Sequence, residues 1–498
     1  MSRSARRTVL KFFALGTGAV ATGLSVPAEA SSVPRSNFLE RPRATPRTAP
    51  AAVDVMRLPL NVTDKIREIQ GYASATSVNA GGTIGFHVTV ARPQPFTVTV
   101  FRIGAGRSRQ VGASGELAGQ PRAVPKPDPV TGLVDCDWPV SWTLSVPAYW
   151  TSGIYMAVFE TADGHRAVTP FVVREDQRKS DFVMVLPFNT YSAYNMWPMD
   201  GRTGRNLYRG YAAPGKVGDI KNRAYRVSFN RPFANGGRPK LFAMDVAAAQ
   251  WLERNGYDVT YATNVDLHEG RVDPGRHKGL VFSGHDEYWS GAMREVVEAA
   301  FRGGTHCAFL GANNAYWNVR LEAAGRVVTC YKDAVDPSPG RFGPTKLWRD
   351  LGSGHAHAEG RLLGVQYNGI PDKPVPLVVR EAGHWLWAGT GLRDGDTIPK
   401  LVGGEADGVF PGIPMGFGAQ RTVLSASPFT DAKRGALVQN TSLSVSPRGT
   451  IMFDAGTFHW PLALVKSPYT DARIQRATRN LFDRMRAAPR SGSPSRGR

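Results

Sequence analysis

The sequence predicts an antiparallel β-sandwich followed by a doubly wound, parallel α/β sheet. Two patterns carry that prediction. Over residues 59–176, short runs alternate apolar with polar or small residues and are cut by Gly, Pro and Asn turns, the period of half-buried strands. Over residues 178–487, unbroken apolar runs take turns with stretches of helical periodicity, as expected when parallel strands are covered by helices on both faces.

In the first region Ile84, Phe86, Val88 and Val90 alternate with polar or small residues, as do Phe96, Val98 and Val100. Trp142, Leu144 and Val146 repeat the pattern, and runs at 154–159 and 167–173 follow. Strands this short and this evenly spaced suit a sandwich of immunoglobulin type. No cluster of catalytic residue types falls among them, so this region reads as support or recognition. In the second region Phe182–Leu186 is the first strand. Residues 241–255 read as a helix stopped by Gly256, and 257–261 and 279–283 as strands. Met293, Val296, Val297, Ala300 and Phe301 share one helical face within 290–302, ahead of Gly303-Gly304, with Ser290 placed to cap. Residues 306–310 form a fourth strand. From residue 360 to 460 the β pattern returns, at 365–367, 376–380, 384–386, 421–424 and 449–453. These strands extend the sheet or form a small β region beside it. Ile474, Ala477, Leu481 and Phe482 give a closing helix at 471–485 its apolar face.

The termini carry their own signals. Residues 1–30 read as a cleavable twin-arginine signal peptide: Arg6-Arg7, an apolar Gly/Ala-rich stretch at 12–26, then Ala28-Glu29-Ala30. That stretch is shorter than the ~20 residues a membrane helix needs, and no later segment is long and apolar enough. The expectation is a protein exported by the twin-arginine route, periplasmic, cell-surface or secreted, with no membrane span. That route carries folded proteins, often with a cofactor already loaded. Residues 31–58 read as a disordered linker and 488–498 as a disordered tail. The net charge is +20, but the Lys and Arg are scattered and partly sit in those termini. No basic helix interleaved with aromatics appears, which argues against a nucleic-acid partner. Cys136, Cys307 and Cys330 fit no zinc spacing and allow at most one disulfide. Their redox state is left open, as is assembly into a homo-oligomer.

In an open α/β sheet ligands bind beyond the carboxyl ends of the strands, near a topological switch point. The first strand is followed by residues 187–195, with Tyr194 and Asn195. Residues 279–283 are followed by Gly284-His285-Asp286-Glu287-Tyr288. Residues 306–310 are followed by 311–317, with Asn313 and Asn314. The three strand ends are expected to bring Tyr, His, Asp, Glu and Asn to one rim. His285 and Glu287 can supply a general base and a hard metal ligand, or structural hydrogen bonds at a helix start. Phenolate suits a hard, oxidised metal such as ferric iron, and Tyr194, Tyr208 and Tyr288 are candidates. His355, His357 and Glu359 lie in a Gly/Ala-rich stretch that reads as a solvated turn. His-Glu-x-x-His and Gly-x-Ser-x-Gly are absent, and no phosphate-cradling loop follows the first strand. Cys307 sits inside a strand rather than on an elbow, which argues against Cys–His amidotransferase chemistry.

Several motifs, in order, resemble one family. They are Tyr191-Ser-Ala-Tyr194-Asn195, Tyr225-Arg-Val-Ser-Phe-Asn-Arg-Pro232 and Trp251-Leu-Glu-Arg-Asn-Gly-Tyr-Asp258, then Asp266-Leu-His268 and Ser283-Gly-His-Asp-Glu-Tyr288. Residues 311–317 and Leu401-Val-Gly-Gly-Glu405 complete the series. It is similar to the C-terminal domain of N,N-dimethylformamidase large (beta) subunits, over residues 180–460. The resemblance implies a sheet like that of class I glutamine amidotransferases and a mononuclear ferric iron held by two tyrosines and a glutamate. Matched motif by motif, the glutamate is Glu287 and one tyrosine Tyr194. The second tyrosine falls on Tyr208, with Tyr211 behind it. His285 and Glu405 are implied as the proton-handling, catalytic groups. Asp286 departs from the family, which has proline there.

The reading that follows is an exported, metal-dependent hydrolase of C–N bonds acting on a small-molecule amide. Two others stand beside it. One is a non-catalytic secreted module binding polysaccharide or protein, supported by 11 Trp and 15 Tyr. The other is a glycan hydrolase using Asp286 and Glu287 as acid and base.

Overall fold

The computed structural model describes residues 53–487. The stretch read as a signal peptide, most of the expected linker and the expected tail lie outside the described residues. Within the stretch read as linker, Val53 bridges Ser108, and Val55 is buried in a short 3-10 turn, Val55–Arg57. The described chain is rich in β-structure.

Two sheets share a core in the N-terminal part. One has three strands, in the order Ile69–Ala73, Thr83–Val90, Trp142–Ser145. The other runs Ser77–Asn79, Arg166–Arg174, Gly153–Thr161, Gln94–Ile103, Arg109–Ala113, with Leu117–Gly119 also paired to Gln94–Ile103. Ile84, Phe86, Val88, Val98, Val100, Phe159 and Phe171 fill the space between them. The larger sheet departs from the one-sided pattern read from sequence. Ile154, Met156, Val158, Val168 and Val172 point the other way and pack with Phe182, Trp251 and Tyr261. Because both faces are covered, Gly153–Thr161 is written almost without polar residues.

The second part is built on a seven-stranded sheet. Its order is Val259–Thr263, Phe182–Leu186, Gly279–Gly284, His306–Gly311, Ile451–Asp454, Ser442–Val445, Gln420–Val423. The first five strands are parallel, and the last two pair antiparallel. Successive residues face opposite layers, as the pleat requires. Met184, Leu186, Val281 and Leu310 join a layer that includes helices Phe242–Arg254, Trp460–Val465 and Ala472–Ala487. Val183, Val185, Phe282 and Phe309 face helix Gly291–Gly303 and the short helix Gly360–Leu363. Helix Gly291–Gly303 starts where Ser290 Oγ accepts from the Met293 N–H at 3.3 Å and stops at Gly304, whose φ of 103° is left-handed. The chain leaves Phe182–Leu186 for one neighbour and returns to the other side through Gly279–Gly284. The switch point therefore lies between those two strands.

Three elements differ from expectation. Residues 384–386 are not a strand: His384 Nδ1 accepts from Leu386 N–H and caps a 3-10 turn, Trp385–Trp387. Residues following the first strand, given no element in the sequence reading, form a helix, Phe188–Tyr194. A four-stranded sheet, Arg226–Ser228, Val327–Thr329, Trp317–Glu322, Tyr288–Ser290, has no counterpart in the sequence reading. The β-rich stretch does both things anticipated of it. Three strands extend the large sheet, and the rest form hairpins such as Val375–Val378 with Thr397–Val402.

Candidate active site

The site grows from the switch point. After Leu186 the chain turns at Pro187 directly into helix Phe188–Tyr194, burying Phe188 and Tyr191 and leaving Tyr194 half-buried at its last turn. Asn206, itself buried, ties a second segment to that helix end. Its Nδ2 donates to the Tyr194 carbonyl at 3.0 Å, and its Oδ1 accepts from the N–H groups of Tyr208 and Arg209, each at 2.9 Å. The approach is so close that a Cβ on Gly204 would lie 2.2 Å from the carbonyl oxygens of Met196 and Pro198, a spacing only glycine permits. The result is that the Tyr194 and Tyr208 rings stack at 4.7 Å with their hydroxyls 3.0 Å apart.

Glu287 reaches the same point from the other strand. Its N–H donates to Thr190 Oγ1 at 3.0 Å, and its carbonyl accepts from Tyr316 and Trp317 N–H groups. This holds the backbone rigidly between the first helix and the four-stranded sheet. The carboxylate is buried. Oε1 accepts from the Trp317 indole at 2.9 Å, Oε2 accepts from the Tyr194 hydroxyl at 2.8 Å, and the Tyr208 hydroxyl lies 2.7 and 2.8 Å from the two oxygens.

His285 lies alongside. Nε2 is 3.1 Å from Glu287 Oε2 and 3.2 Å from the Tyr194 hydroxyl, while Nδ1 is 3.2 Å from the Ala312 carbonyl. A carbonyl only accepts, so Nδ1 carries hydrogen and Nε2 faces the site. Burial alone pushes this imidazole down, but the Glu405 and Glu287 carboxylates and its hydrogen bonds outweigh burial and lift it to about 9. Glu405 approaches His285 Nε2 at 3.9 Å and accepts from the Asn313 amide at 2.5 Å. It is carried there by Gly403-Gly404. Gly404 has φ of +77°, and a Cβ there would strike Phe458 at 2.5 Å. The Phe458 ring in turn packs on His285, centroids 4.6 Å apart.

The environment of the phenols is set by two opposing groups. Burial, then the negative charge of Glu287, holds the Tyr194 hydroxyl well above its ordinary value. On the other side Lys332 is buried with Nζ 3.4 Å from the Tyr208 ring centroid, donating to the Tyr288 hydroxyl at 2.9 Å. Sequence reasoning missed Lys332, Trp317 and Asn206. Trp317 begins a strand of the unforeseen four-stranded sheet, and Lys332 lies in the turn that follows another of its strands, Val327–Thr329. The third could have been suspected from Asn ahead of two candidate residues, the signature of an Asx turn.

Other candidates fall elsewhere. The Tyr211 phenol lies beside the Gly201 backbone and near Asp200 and Asp64, not at Glu287. Asp286 turns away from Glu287 and accepts from the Asn264 amide at 3.2 Å; it is fully buried, which raises its carboxyl to about 7. It therefore does not join the rim. Tyr288 borders the site through its contacts to the Tyr194 and Tyr208 rings. Glu359 is buried against Arg349, while His355 and His357 are exposed, so those three form no cluster. Cys136, Cys307 and Cys330 are all free and buried, and burial pushes the Cys307 thiol far up.

Residues 97–472 match the family described as N,N-dimethylformamidase beta subunit-like, C-terminal. The chain belongs to this family. The match to the N,N-dimethylformamidase beta subunit-like family begins well before residue 180, inside the N-terminal sheets, so it is longer than the motif series alone suggests. The N,N-dimethylformamidase beta subunit of Paracoccus aminophilus is 26% identical over 220 residues, which cover 38% of this chain and 29% of that relative. Among solved structures, a β-glucosidase from Listeria innocua aligns at a TM-score of 0.14 and 11% identity, over 21% of this chain and 16% of its own. A Paenibacillus cycloisomaltooligosaccharide glucanotransferase aligns at 0.17 and 10% identity, over 62% of this chain and 61% of its own.

The donor set can be tested against iron on its chemistry. Among the described residues no three His, Cys, Asp or Glu side chains gather as a metal-holding group, so a cation here would depend on the phenols. Tyr194, Tyr208 and Glu287 offer hard oxygen donors that meet at 2.7–3.0 Å. Two carboxylates, Glu287 and Glu405, add negative charge to a buried place. Oxygen donors of this kind fit a hard, oxidised ion.

Proposed function

We propose that this chain is an amide hydrolase acting on C–N bonds of small molecules, with iron held by Tyr194, Tyr208 and Glu287. The convergence of two phenols on one buried carboxylate, beside an imidazole with its Nε2 facing them, supports this reading. Bound iron would supply Lewis-acid polarisation of the amide carbonyl and acidify a water molecule.

The chain's own residues supply the rest. Hydrolysis places hydroxyl on the acyl carbon, breaks the C–N bond and protonates the departing nitrogen. The His285 imidazolium, its ring fixed through Nδ1 and the Ala312 carbonyl, gives its Nε2 proton to the departing nitrogen, and the Glu405 carboxylate takes the proton of water. Glu405 stabilises the imidazolium, and the Asn313 amide fixes the carboxylate. Trp317 and Thr190 hold Glu287 still. Phe458 closes one side of His285 and limits water.

The same reading includes export by the twin-arginine route, with the metal loaded before transport. It also takes the N-terminal sheets as immunoglobulin-like and the large sheet as kin to class I glutamine amidotransferases. The test is metal analysis of native protein together with its absorption spectrum and amide turnover, beside Glu287→Gln. One iron per chain, a phenolate-to-iron absorption band and loss of turnover in the variant are expected. Iron-free protein that still hydrolyses amides, or a variant as active as wild type, would defeat the proposal.

A further inference from the structure

The stretch Tyr225–Pro232 places no side chain at Glu287, yet it converges on a cavity of its own. Phe229 and Arg231 line a space of about 20 Å³, opposite Thr76 and Thr169 of the N-terminal part, with Phe233 and Arg326 beside them. Asn230 fixes the second guanidinium. Its Oδ1 accepts from Arg326 Nε at 2.8 Å, while Arg326 Nη2 donates to the Ala73 carbonyl at 2.9 Å. Arg231 is only 2% exposed. Its Nη1 donates to the Trp197 and Arg205 carbonyls at 3.3 and 3.0 Å and its Nη2 to the Asn195 carbonyl at 3.1 Å, but its Nε–H meets no acceptor. Among the described residues four arginines are buried. Three of them meet a carboxylate: Arg174 at Asp266, Arg223 at Asp333 and Arg294 at Glu298, at 2.9, 2.6 and 2.8 Å. Arg231, the most buried, has no carboxylate within ion-pair distance among the described residues, and neither has the half-buried Arg326. Burial pulls both guanidinium groups down to about 10, and the exposed Asp135 carboxylate opposes this only from beyond ion-pair distance.

A guanidinium taken out of water is costly unless a negative charge opposes it. Carbonyl dipoles oppose it only in part, and two cations on one cavity wall add their mutual repulsion. A water molecule would satisfy the Arg231 Nε–H and leave both charges standing. The cavity has room for about one water-sized sphere, which excludes sulfate, phosphate and any organic acid. The geometry points to a buried chloride site, in which one halide ion lies between the guanidinium groups of Arg231 and Arg326. Phe229 and Phe233 supply the apolar remainder of the wall. The ion closes the seam between the N-terminal part and the α/β part, and it steadies the candidate active site at one remove. Arg231 holds the carbonyl of Asn195, directly after Tyr194, and that of Arg205, directly before Asn206. One guanidinium thus spans the two segments that carry the phenols, whatever reaction those phenols serve.

The test uses bromide as a chloride that can be seen. Crystals of the wild-type protein grown in bromide are expected to show an anomalous-scattering peak between Arg231 and Arg326, and the lack of a peak there overturns the site. In solution the thermal midpoint of wild type is expected to rise saturably, by about 2 °C, as chloride or bromide replaces gluconate at constant ionic strength. Gluconate is too large for the cavity. Arg326→Gln removes one of the two charges from a half-buried side chain and is expected to lose the rise. Arg109→Gln, on the edge strand Arg109–Ala113, removes a charge elsewhere and is expected to keep it. No rise in wild type, or a rise of the same size in Arg326→Gln, overturns the site.

Discussion

The Trp317 indole donates to Glu287 Oε1 at 2.9 Å, on the side of the carboxylate facing away from Tyr194. The bond fixes the plane of a buried carboxylate whose other neighbours are two phenols and the His285 imidazole. A hydrogen bond to a charged group contributes about 1.5–3 kcal/mol, and partners behind a metal ligand commonly set affinity by about 10–100-fold. Trp317→Phe should therefore fold but hold iron less tightly by a factor in that range. Iron retained after dialysis against a graded chelator series measures it. Retention equal to wild type would show that Glu287 needs no such support.

Asn206 joins two segments through three hydrogen bonds. Asn206→Ala should free the Tyr208 turn, lowering stability by about 2 kcal/mol and weakening any phenolate-to-iron band. Asn206→Asp keeps both acceptor bonds and loses only the donor, so its spectrum should fall between the two. An alanine variant with an unaltered spectrum would mean that Tyr208 is held by other means.

Asp266 binds the N-terminal sheets to the α/β part. It accepts from Arg174 at 2.9 Å and from Ser77 at 2.6 Å across the boundary, and it also closes a capping box with Thr263. Asp266→Ala leaves the Arg174 guanidinium buried without this partner, a change worth about 3–5 kcal/mol. The shared core predicts that calorimetry will show one transition shifted downward in the variant. Two separated transitions in wild type would contradict this.

His306 Nδ1 accepts from the Ile451 N–H at 2.9 Å, and burial, aided by the charge of Lys278, lowers the ring from 6.5 to about 4. As pH falls the unfolded chain takes up this proton first. The contribution of the neutral ring is complete above 6.5 and is lost as pH falls through about 4, at most about 3 kcal/mol. His306→Asn keeps an acceptor and removes the titration. Urea midpoints of the variant should drop less than those of wild type across that window and run parallel above it. Parallel curves throughout would place the loss on other groups.

Much of the site was legible because its positions follow strand ends. The runs Phe182–Leu186 and Gly279–Gly284 announce themselves by being apolar throughout, and Tyr194, His285 and Glu287 come directly after them. Tyr208 was harder. It follows no periodic element, and its place depends on one buried amide and on glycine at 204. Lys332 was not legible at all, since it comes in through pairing of Val327–Thr329 with Trp317–Glu322, a contact that local pattern does not encode. The two-sided burial of Gly153–Thr161 was present in the sequence as missing polar residues. Alternation in its neighbours masked it. Residues 384–386 read as a strand because two aromatic-rich positions flank a leucine, while the cap formed by His384 made a turn of them.

The six-stranded sheet buries one face against its smaller companion and the other against Phe182, Trp251 and Tyr261. Exchange of segments between relatives is easiest where few side chains must be inherited together. Here the seam near residue 178 is a poor crossover point, since Met156, Val158 and Val168 on one side have been fitted to partners on the other. The N-terminal sheets should therefore be inherited as fixed cargo alongside the chemistry.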